Sequence, residues 1–506
     1  MVFESLEPKN VWDIFETVFC NTPRPSNHEE KIRNTIKGWV AAHESLGINL
    51  SEDPAGNLLI KKPATPGNED WPSILLQGHM DMVCETNRPE GFDFMNESIP
   101  VRIDPDGEWI SADGTTLGAD DGIGTAMALA LLIDDDPGFI HGPIEVLITF
   151  AEETGLDGAE NLDAEALGIT SSAMINVDSE EYASITIGAA GGGAMHLTTH
   201  FTYASGNQDT TLVFHELAVS GLRGGHSGVD IHLPRACANK LLVRMLAAIN
   251  DHVPVYLHAW NGGTRSNVIP RDGKVQFAVN AGEEQIMKEI VATEIDALET
   301  YYKASDQHGE VLEPGMSIAL EQIDAVPSMD AAKSEEIIRL ISALPHGPDR
   351  LSPSMPDLVE TSNSISIVTT NLDAFSIDIL LYPRSNVDAE LEAFRRRLAN
   401  IGKLASWDVG MEDPYPAWTP EPGSEFLKAV KTIYEKCIQM PVSVKAVHAG
   451  LECSVIAKKV PALSRAVALG PQVENAHSPV ERARIKDVEV LYSVLKTILA
   501  STSSMT

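Results

Sequence analysis

The sequence predicts an α/β layered fold interrupted by an inserted block, and three observations carry that reading. Short apolar strands alternate with helix-patterned segments as far as Asp178, the pattern of strands and helices packed in layers. The texture changes at "GAAGGGAMHLTTHFTYASGNQ", Gly188 to Gln208, which is Gly-rich and then strand-like, as at a crossing between domains. Polar, chemistry-bearing stretches recur near both ends of the chain, with a quieter block between them. The expected organisation is one discontinuous domain, residues 1–187 and 404–506, holding an α+β insertion at residues 188–403.

The elements follow in order. A helix is expected near Glu29 to His43, then a strand at "GNLLIKK". The stretch "ILLQGHMDMV", Ile74 to Val83, begins as an apolar core strand and then places His79 and Asp81 within the same run. Residues two apart on a strand face one side. These two groups, each costly to bury, therefore face together while Met80 and Met82 face away. An amphipathic helix is expected from about Gly122 to Ile133, then strands at "IEVLITF" and "SAMINVDS". The middle block offers little polar chemistry beyond "GLRGGHSGVDIH" and "NGGTRSNVIPRDGK". After it come the helix "GSEFLKAVKTIYEKCI" and two further polar stretches, "KAVHAGLECSVIA" and "LGPQVENAHSPVERARI".

A chain of 506 residues has room for about two to four domains. Its 37 basic and 73 acidic side chains leave a net charge of -36. Such a surface repels nucleic acid and anionic membrane, which argues against both as partners. Most of those carboxylates belong to a solvated surface; only a handful can belong to a site. Cys20, Cys84, Cys237, Cys437 and Cys453 are scattered, odd in number and never in a C-x-x-C pair. That argues against a disulfide framework or a thiolate zinc site and fits a reducing compartment. The acidic start "MVFESLEPKNVWDIF" lacks the basic and apolar regions of a secretory signal. The apolar run "IGTAMALALLI" is too short for a bilayer and ends in Asp134, Asp135 and Asp136. A cytoplasmic protein is expected.

Four segments share one design, an apolar strand running into acidic or imidazole groups: "LLQGHMDMV", "TTLGADDGIG", "VLITFAEETG" and "MINVDSEE". In open α/β sheets, ligands gather at the carboxyl ends of strands. The groups brought there are His79, Asp81, Asp120, Asp121, Glu152, Glu153 and Asp178. Carboxylates this close repel one another unless something cationic sits among them. These segments contain no Lys or Arg, so a metal is the economical answer. Mixed imidazole and carboxylate donors suit Zn²⁺, Mn²⁺ or Co²⁺, whereas Ca²⁺ or Mg²⁺ favours oxygen alone. The number of carboxylates points to two ions. Each piece alone has a plain structural reading. A strand histidine is usually a hydrogen-bonded core residue, "EE" a helix start, "ADDG" a turn, and "HSP" a helix cap. It is the combination that resists this explanation.

With "GLRGGHSG", "HAGLEC" and "HSPVER" added, the set resembles the aminoacylhistidine, or cytosol nonspecific, dipeptidases of the M20 group of co-catalytic zinc peptidases. The likeness runs from "WDIFETVFC" through "NTPRPSNHEEKI" to the last motif, nearly the whole chain. It implies a zinc-peptidase-like catalytic domain with a central mixed sheet flanked by helices, and an inserted lid or dimerisation domain. By that resemblance His79 binds one of two Zn²⁺ (or Mn²⁺ or Co²⁺) ions, and Asp81 orients its imidazole. Asp120 bridges the metals, Asp178 completes the first site, and Glu153 and His477 complete the second. Glu152 is the general base toward the attacking water. The resemblance alone separates the roles of the adjacent glutamates.

The same likeness gives His226 the tetrahedral oxyanion, often in a dimer partner's active site. Asn267 and Arg384 would hold substrate carbonyl or carboxylate groups. His448 and Glu452 would line the pocket, with Glu452 meeting the substrate's amino group. The implied partners are a dipeptide or short-peptide substrate and a second copy of the chain, joined through the insertion. Departures from the pattern are Asp121 where the usual residue is Asn, Ser454 where it is Gly, and "GPQVENAHSPVER" in the final motif. An Asp at 121 is expected to add negative charge beside the bridge. The expected function is hydrolysis of short peptides, Xaa-His dipeptides such as carnosine included. An aminoacylase or carboxypeptidase-like amidohydrolase with the same centre is the alternative, and a non-catalytic peptide-binding homologue a more distant one. "GGHSG" has the wrong order for a serine elbow, and no phosphate-binding glycine motif is present.

Overall fold

The structure, a computed structural model, describes residues 1–203, 211–306 and 309–505. The tail of the Gly188–Gln208 stretch, residues 204–208, lies outside the described residues. The chain forms two compact units. The first comprises Met1–Ala189, Pro420–Ala446 and Leu451–Thr506; the second comprises Ala190–Thr419 and Val447–Gly450.

The first unit is built on an eight-stranded mixed sheet. Its lateral order is Asn49–Glu52, Leu58–Lys62, Ile144–Thr149, Ile74–His79, Ala173–Asn176, Arg465–Ala468, Ser184–Ala189 and Ser443–Val447. The Ile144, Ile74, Ala173 and Arg465 strands run parallel at the centre, and antiparallel partners flank them. A parallel strand covered on both faces reads as a continuous apolar run rather than an alternating one. That is why Ile74–His79 and Ile144–Thr149, buried at every position, were legible as strands. The helices Glu30–Ala42, Ala119–Leu132 and Glu425–Ile438 form where the apolar spacing placed them. Ala119–Leu132 is buried almost throughout and packs against the Ile74–His79 strand.

Two features of this unit escaped the sequence reading. One is the central strand Arg465–Ala468, which comes from the far end of the chain and is four residues long. The other is a small antiparallel sheet of Val473–Glu474, Arg482–Arg484, Trp109–Ala112 and Val101–Ile103. Strands of two to four residues are too short to display a period.

The second unit is α+β. Its ten-stranded antiparallel sheet includes the long pair Val359–Asn371 and Ser376–Ser385. Alternation is plain in Gly273–Asn280, where Val275, Phe277 and Val279 enter the core. The helices Ala238–Asn250, Glu284–Tyr302, Ala331–Ala343 and Asp388–Leu404 supply the remainder, and Trp260, Leu246, Ile341 and Leu398 join the same core. Asp330 caps the third of these by accepting the Lys333 N–H at 2.8 Å. Among the described residues, no helix is long and apolar enough to cross a membrane.

Candidate metal centre

Three of the four parallel strands of the first unit lead at their ends into acidic or imidazole groups. His79 is the last residue of its strand; Glu152 and Glu153 follow the strand ending at Thr149, and Asp178 follows Asn176. Asp120 and Asp121 lie at the start of the Ala119–Leu132 helix, before regular helical geometry begins, and are joined by a cis peptide. His477 sits in the turn between Val473–Glu474 and Arg482–Arg484.

These groups converge. His79 Nε2 lies 3.1 Å from Asp120 Oδ1 and 3.5 Å from Asp178 Oδ1. Asp120 Oδ2 lies 3.0 Å from His477 Nε2, which is also 3.0 Å from Glu153 Oε2. Asp120 thus offers one oxygen to each imidazole. The donor atoms of His79, Asp120 and Asp178 lie within 4.8 Å of one another, as do those of Asp120, Glu153 and His477, and those of His79, Glu152 and Glu153.

Behind this front the support is dense. The strand ends at His79, yet Asp81 still faces it, with Oδ1 3.3 Å from Nδ1. The ring therefore presents Nε2 to the carboxylates and Nδ1 to Asp81. Asp81 also accepts the Glu152 N–H at 3.1 Å and the Glu153 N–H at 3.4 Å. Glu29, itself buried, accepts the preceding N–H, that of Ala151, at 3.1 Å. Buried Arg24 donates to the carbonyls of Asp81, Met80 and Gly118. Arg24 and Glu29 lie inside the "NTPRPSNHEEKI" motif, but nothing local in that motif reveals that their partners are backbone groups of distant loops.

Burial, reinforced by the neighbouring Asp120, pushes the Asp121 carboxyl up to about 8. Its Oδ2 meets the His79 N–H at 3.3 Å and the Thr125 hydroxyl at 3.1 Å. A Cβ on Gly78 would stand 2.0 Å from Asp121 Oδ2, so the glycine before His79 makes room for this side chain. Ser454 is absorbed just as quietly, donating to the Leu451 carbonyl at 2.7 Å.

The charges test whether cations fit. Asp81, Asp120, Glu152, Glu153 and Asp178 face two imidazoles, and among the described residues none of these carboxylates pairs with Lys or Arg. Burial, reinforced by like charges, holds Glu152 and Asp178 well above the usual carboxylate range. Hydrogen bonding to Asp120 and Glu153 pushes His477 up to about 11. Glu153 Oε1 is buried with no hydrogen-bond partner. Each sign is that of a cluster short of positive charge, and the donor set of imidazole and carboxylate fits divalent cations.

Glu452 takes another place. It is fully buried, and its Oε2 is bonded by Gln77 Nε2 at 2.6 Å and Thr149 Oγ1 at 2.7 Å. Its Oε1 is buried with no hydrogen-bond partner.

The second unit holds its own cluster. His226 Nδ1 accepts the N–H groups of Gly228 at 3.2 Å and Val229 at 2.9 Å. A nitrogen that accepts cannot carry the proton, so the neutral ring is protonated on Nε2. Burial, with Arg384 nearby, lowers His226 to about 4. Arg384 is buried, donates Nη1 to the Tyr415 hydroxyl at 2.5 Å and stacks over Tyr382, while its Nε has no partner. Asn267 is exposed, and its carbonyl accepts the Ser227 N–H at 2.7 Å.

His448 is committed at both nitrogens, Nε2 to Ser362 Oγ at 2.7 Å and Nδ1 to Asn386 Oδ1 at 3.0 Å. That makes it a packing residue more than a pocket wall. Burial, with Arg384, His226 and His232 around it, lowers its pKa to about 3. A histidine depressed in the folded state contributes stability that is present above its unfolded value, about 6.5, and is lost as pH falls through the folded one. The His448 contribution to the thermal midpoint should therefore fall on acidification from about pH 6.5. His448→Gln should flatten that dependence by up to about one proton; an unchanged slope would remove His448 from the account.

Comparison with known proteins agrees with this arrangement. Residues 75–501 match the model of peptidase family M20/M25/M40. The chain is 36% identical over 498 residues to the cytosol non-specific dipeptidase of Escherichia coli K12, covering 98% of each chain. It superposes on the aminoacylhistidine dipeptidase of Vibrio alginolyticus with a TM-score of 0.85 and 32% identity, covering 98% of this chain and 97% of that one. An aminopeptidase PepT from Bacillus cereus shares the fold at a TM-score of 0.55 and 17% identity, covering 98% and 99%. The central sheet, the clustered ligand loops and these matches agree: the chain belongs to peptidase family M20/M25/M40.

Proposed function

We propose that this chain is a metal-dependent dipeptidase with two divalent cations, Zn²⁺ or in its place Mn²⁺ or Co²⁺. The observation that carries the reading is Asp120, which sits between His79 and His477 with one oxygen toward each. His79, Asp120 and Asp178 would hold one ion; Asp120, Glu153 and His477 would hold the other. When bound, two such ions supply the positive charge that acidifies a water and polarises a scissile carbonyl.

The chain's own residues then have separable tasks. Asp81 keeps the His79 ring turned by its Nδ1. Glu152, whose backbone Asp81 pins, takes a proton from the attacking water as the water oxygen bonds to the carbonyl carbon. The C–N bond then breaks, and Glu152 returns that proton to the departing amine. His226 has the tautomer needed to donate from Nε2 to the oxyanion. Arg384, with a buried Nε unpaired, suits the substrate's terminal carboxylate. Asn267 would hold a substrate carbonyl.

The first unit would be the catalytic domain and the second the lid and dimerisation domain. A homodimer predicts twice the chain mass in solution; a monomer at working concentration would contradict it. The name of the Escherichia coli relative supports a cytoplasmic location.

Substrate choice tests the function. Carnosine, Ala-His, longer peptides and N-acetyl amino acids should be assayed side by side. The proposal expects the highest kcat/KM on free dipeptides, Xaa-His among them. Preference for N-acetylated amino acids would transfer the chain to the aminoacylase reading.

A further inference from the structure

The hairpin that carries His477 also carries a buried carboxylate that no step above uses. Glu481 lies in the turn region just before Arg482–Arg484 and is 2% exposed. Its Oε2 accepts the N–H groups of Leu117 at 2.8 Å and Gly118 at 2.9 Å. Its Oε1 accepts those of Ala119 at 2.8 Å and Asp120 at 3.3 Å. Four consecutive backbone donors thus converge on one side chain. They include the donors left without intrahelical partners at the start of the Ala119–Leu132 helix. Among the described residues no Lys or Arg forms an ion pair with Glu481, so these charge-assisted bonds are what offset its burial.

The consequence is geometric. Asp120 must present one oxygen to His79 and the other to His477, and these residues come from three separate parts of the chain. The His79 side of the Asp120 loop is fastened independently, because Arg24 ties the Gly118 carbonyl to those of Met80 and Asp81. On the His477 side, among the described residues, Glu481 is the side chain that bonds the backbone of the Asp120 loop directly, while the base of the hairpin is paired to Trp109–Ala112 in the small sheet. His477 itself is half exposed and has a left-handed backbone, with φ 62°. Without Glu481, that sheet pairing alone is left to set the hairpin against the Asp120 loop.

We propose that Glu481 is a positioning residue that sets the His477 hairpin against the Asp120 loop, and so governs the Asp120–Glu153–His477 cation site selectively over the His79–Asp120–Asp178 site. The proposal rests on the two-cation reading above.

The experiment titrates chelator-stripped full-length protein with Zn²⁺ against a chromophoric competitor, reading the number of ions bound and the affinity of each. Wild type is expected to bind two ions per chain. Glu481→Gln keeps the shape of the side chain but offers one acceptor oxygen and turns N–H groups toward N–H donors. It should retain one site at wild-type affinity and weaken the other about 10–100-fold, while the lost bonds lower the thermal midpoint of the stripped protein; the site-by-site affinities are the readout. Glu481→Asp keeps the charge and should recover part of that loss; it also serves as the variant of record should Glu481→Gln not fold. Two sites of unchanged affinity in the variant, or equal weakening of both, would overturn the proposal. A wild type that binds fewer than two ions would instead strike the two-cation reading itself.

Discussion

Glu152→Gln should lower kcat on a dipeptide about 10²–10⁴-fold, the span that general acid–base catalysis usually contributes, with both cations still bound. The upper part of that span is expected, because one carboxylate handles the same proton twice. Glu152 is absent from the two triads that contain Asp120 and belongs to the third, with His79 and Glu153, so metal content measured beside turnover separates its two possible roles. Its backbone N–H is held by Asp81 whatever its side chain becomes, so the amide variant should fold normally. Loss of metal together with loss of turnover would mean that Glu152 ligates, and that the adjacent glutamates have been given each other's work. Turnover within about tenfold of wild type would remove Glu152 as the base.

Asp120→Ala should have a different signature. Asp120 is the one carboxylate shared by both triads, so its removal strips a donor from each site at once. Turnover should become undetectable and both ions should be lost together. The second readout is stability. A cation that binds only the folded chain stabilises it by about 2.7 kcal/mol at one hundred times its Kd. Zn²⁺ or Mn²⁺ should therefore raise the thermal midpoint of stripped wild type and leave that of Asp120→Ala where it is. An equal rise in the variant would place the cations away from Asp120. Loss of only one ion would show that the carboxylate does not bridge.

Much of this centre was legible in the sequence because its candidate ligands follow apolar strands within a few residues. His79 ends one, Glu152 and Glu153 follow a second, and Asp178 follows a third. A buried parallel strand announces itself by composition, and a polar group at its end is conspicuous. His477 was harder, because its hairpin strands are only two and three residues long; the "HSPVER" motif placed it, not periodicity.

What stayed hidden has one physical character. Arg24, Glu29 and Glu481 act on the backbone N–H and C=O groups of loops far away in sequence. Every residue carries those groups, so no local pattern names the partner. The internal hydrogen bonds of His448 and of one Glu452 oxygen were hidden for the same reason. Asp121 teaches the complementary lesson: burial raises the pKa of its carboxyl, which sequence alone does not show.

The central claim is that Asp120 joins two cation sites into one hydrolytic centre. Its most direct test is metal analysis of the purified chain paired with turnover of Ala-His before and after chelation. The account predicts two divalent ions per chain, no turnover in the stripped protein, and recovery on adding Zn²⁺, Mn²⁺ or Co²⁺. Full turnover by a chain stripped to well under one ion would contradict it.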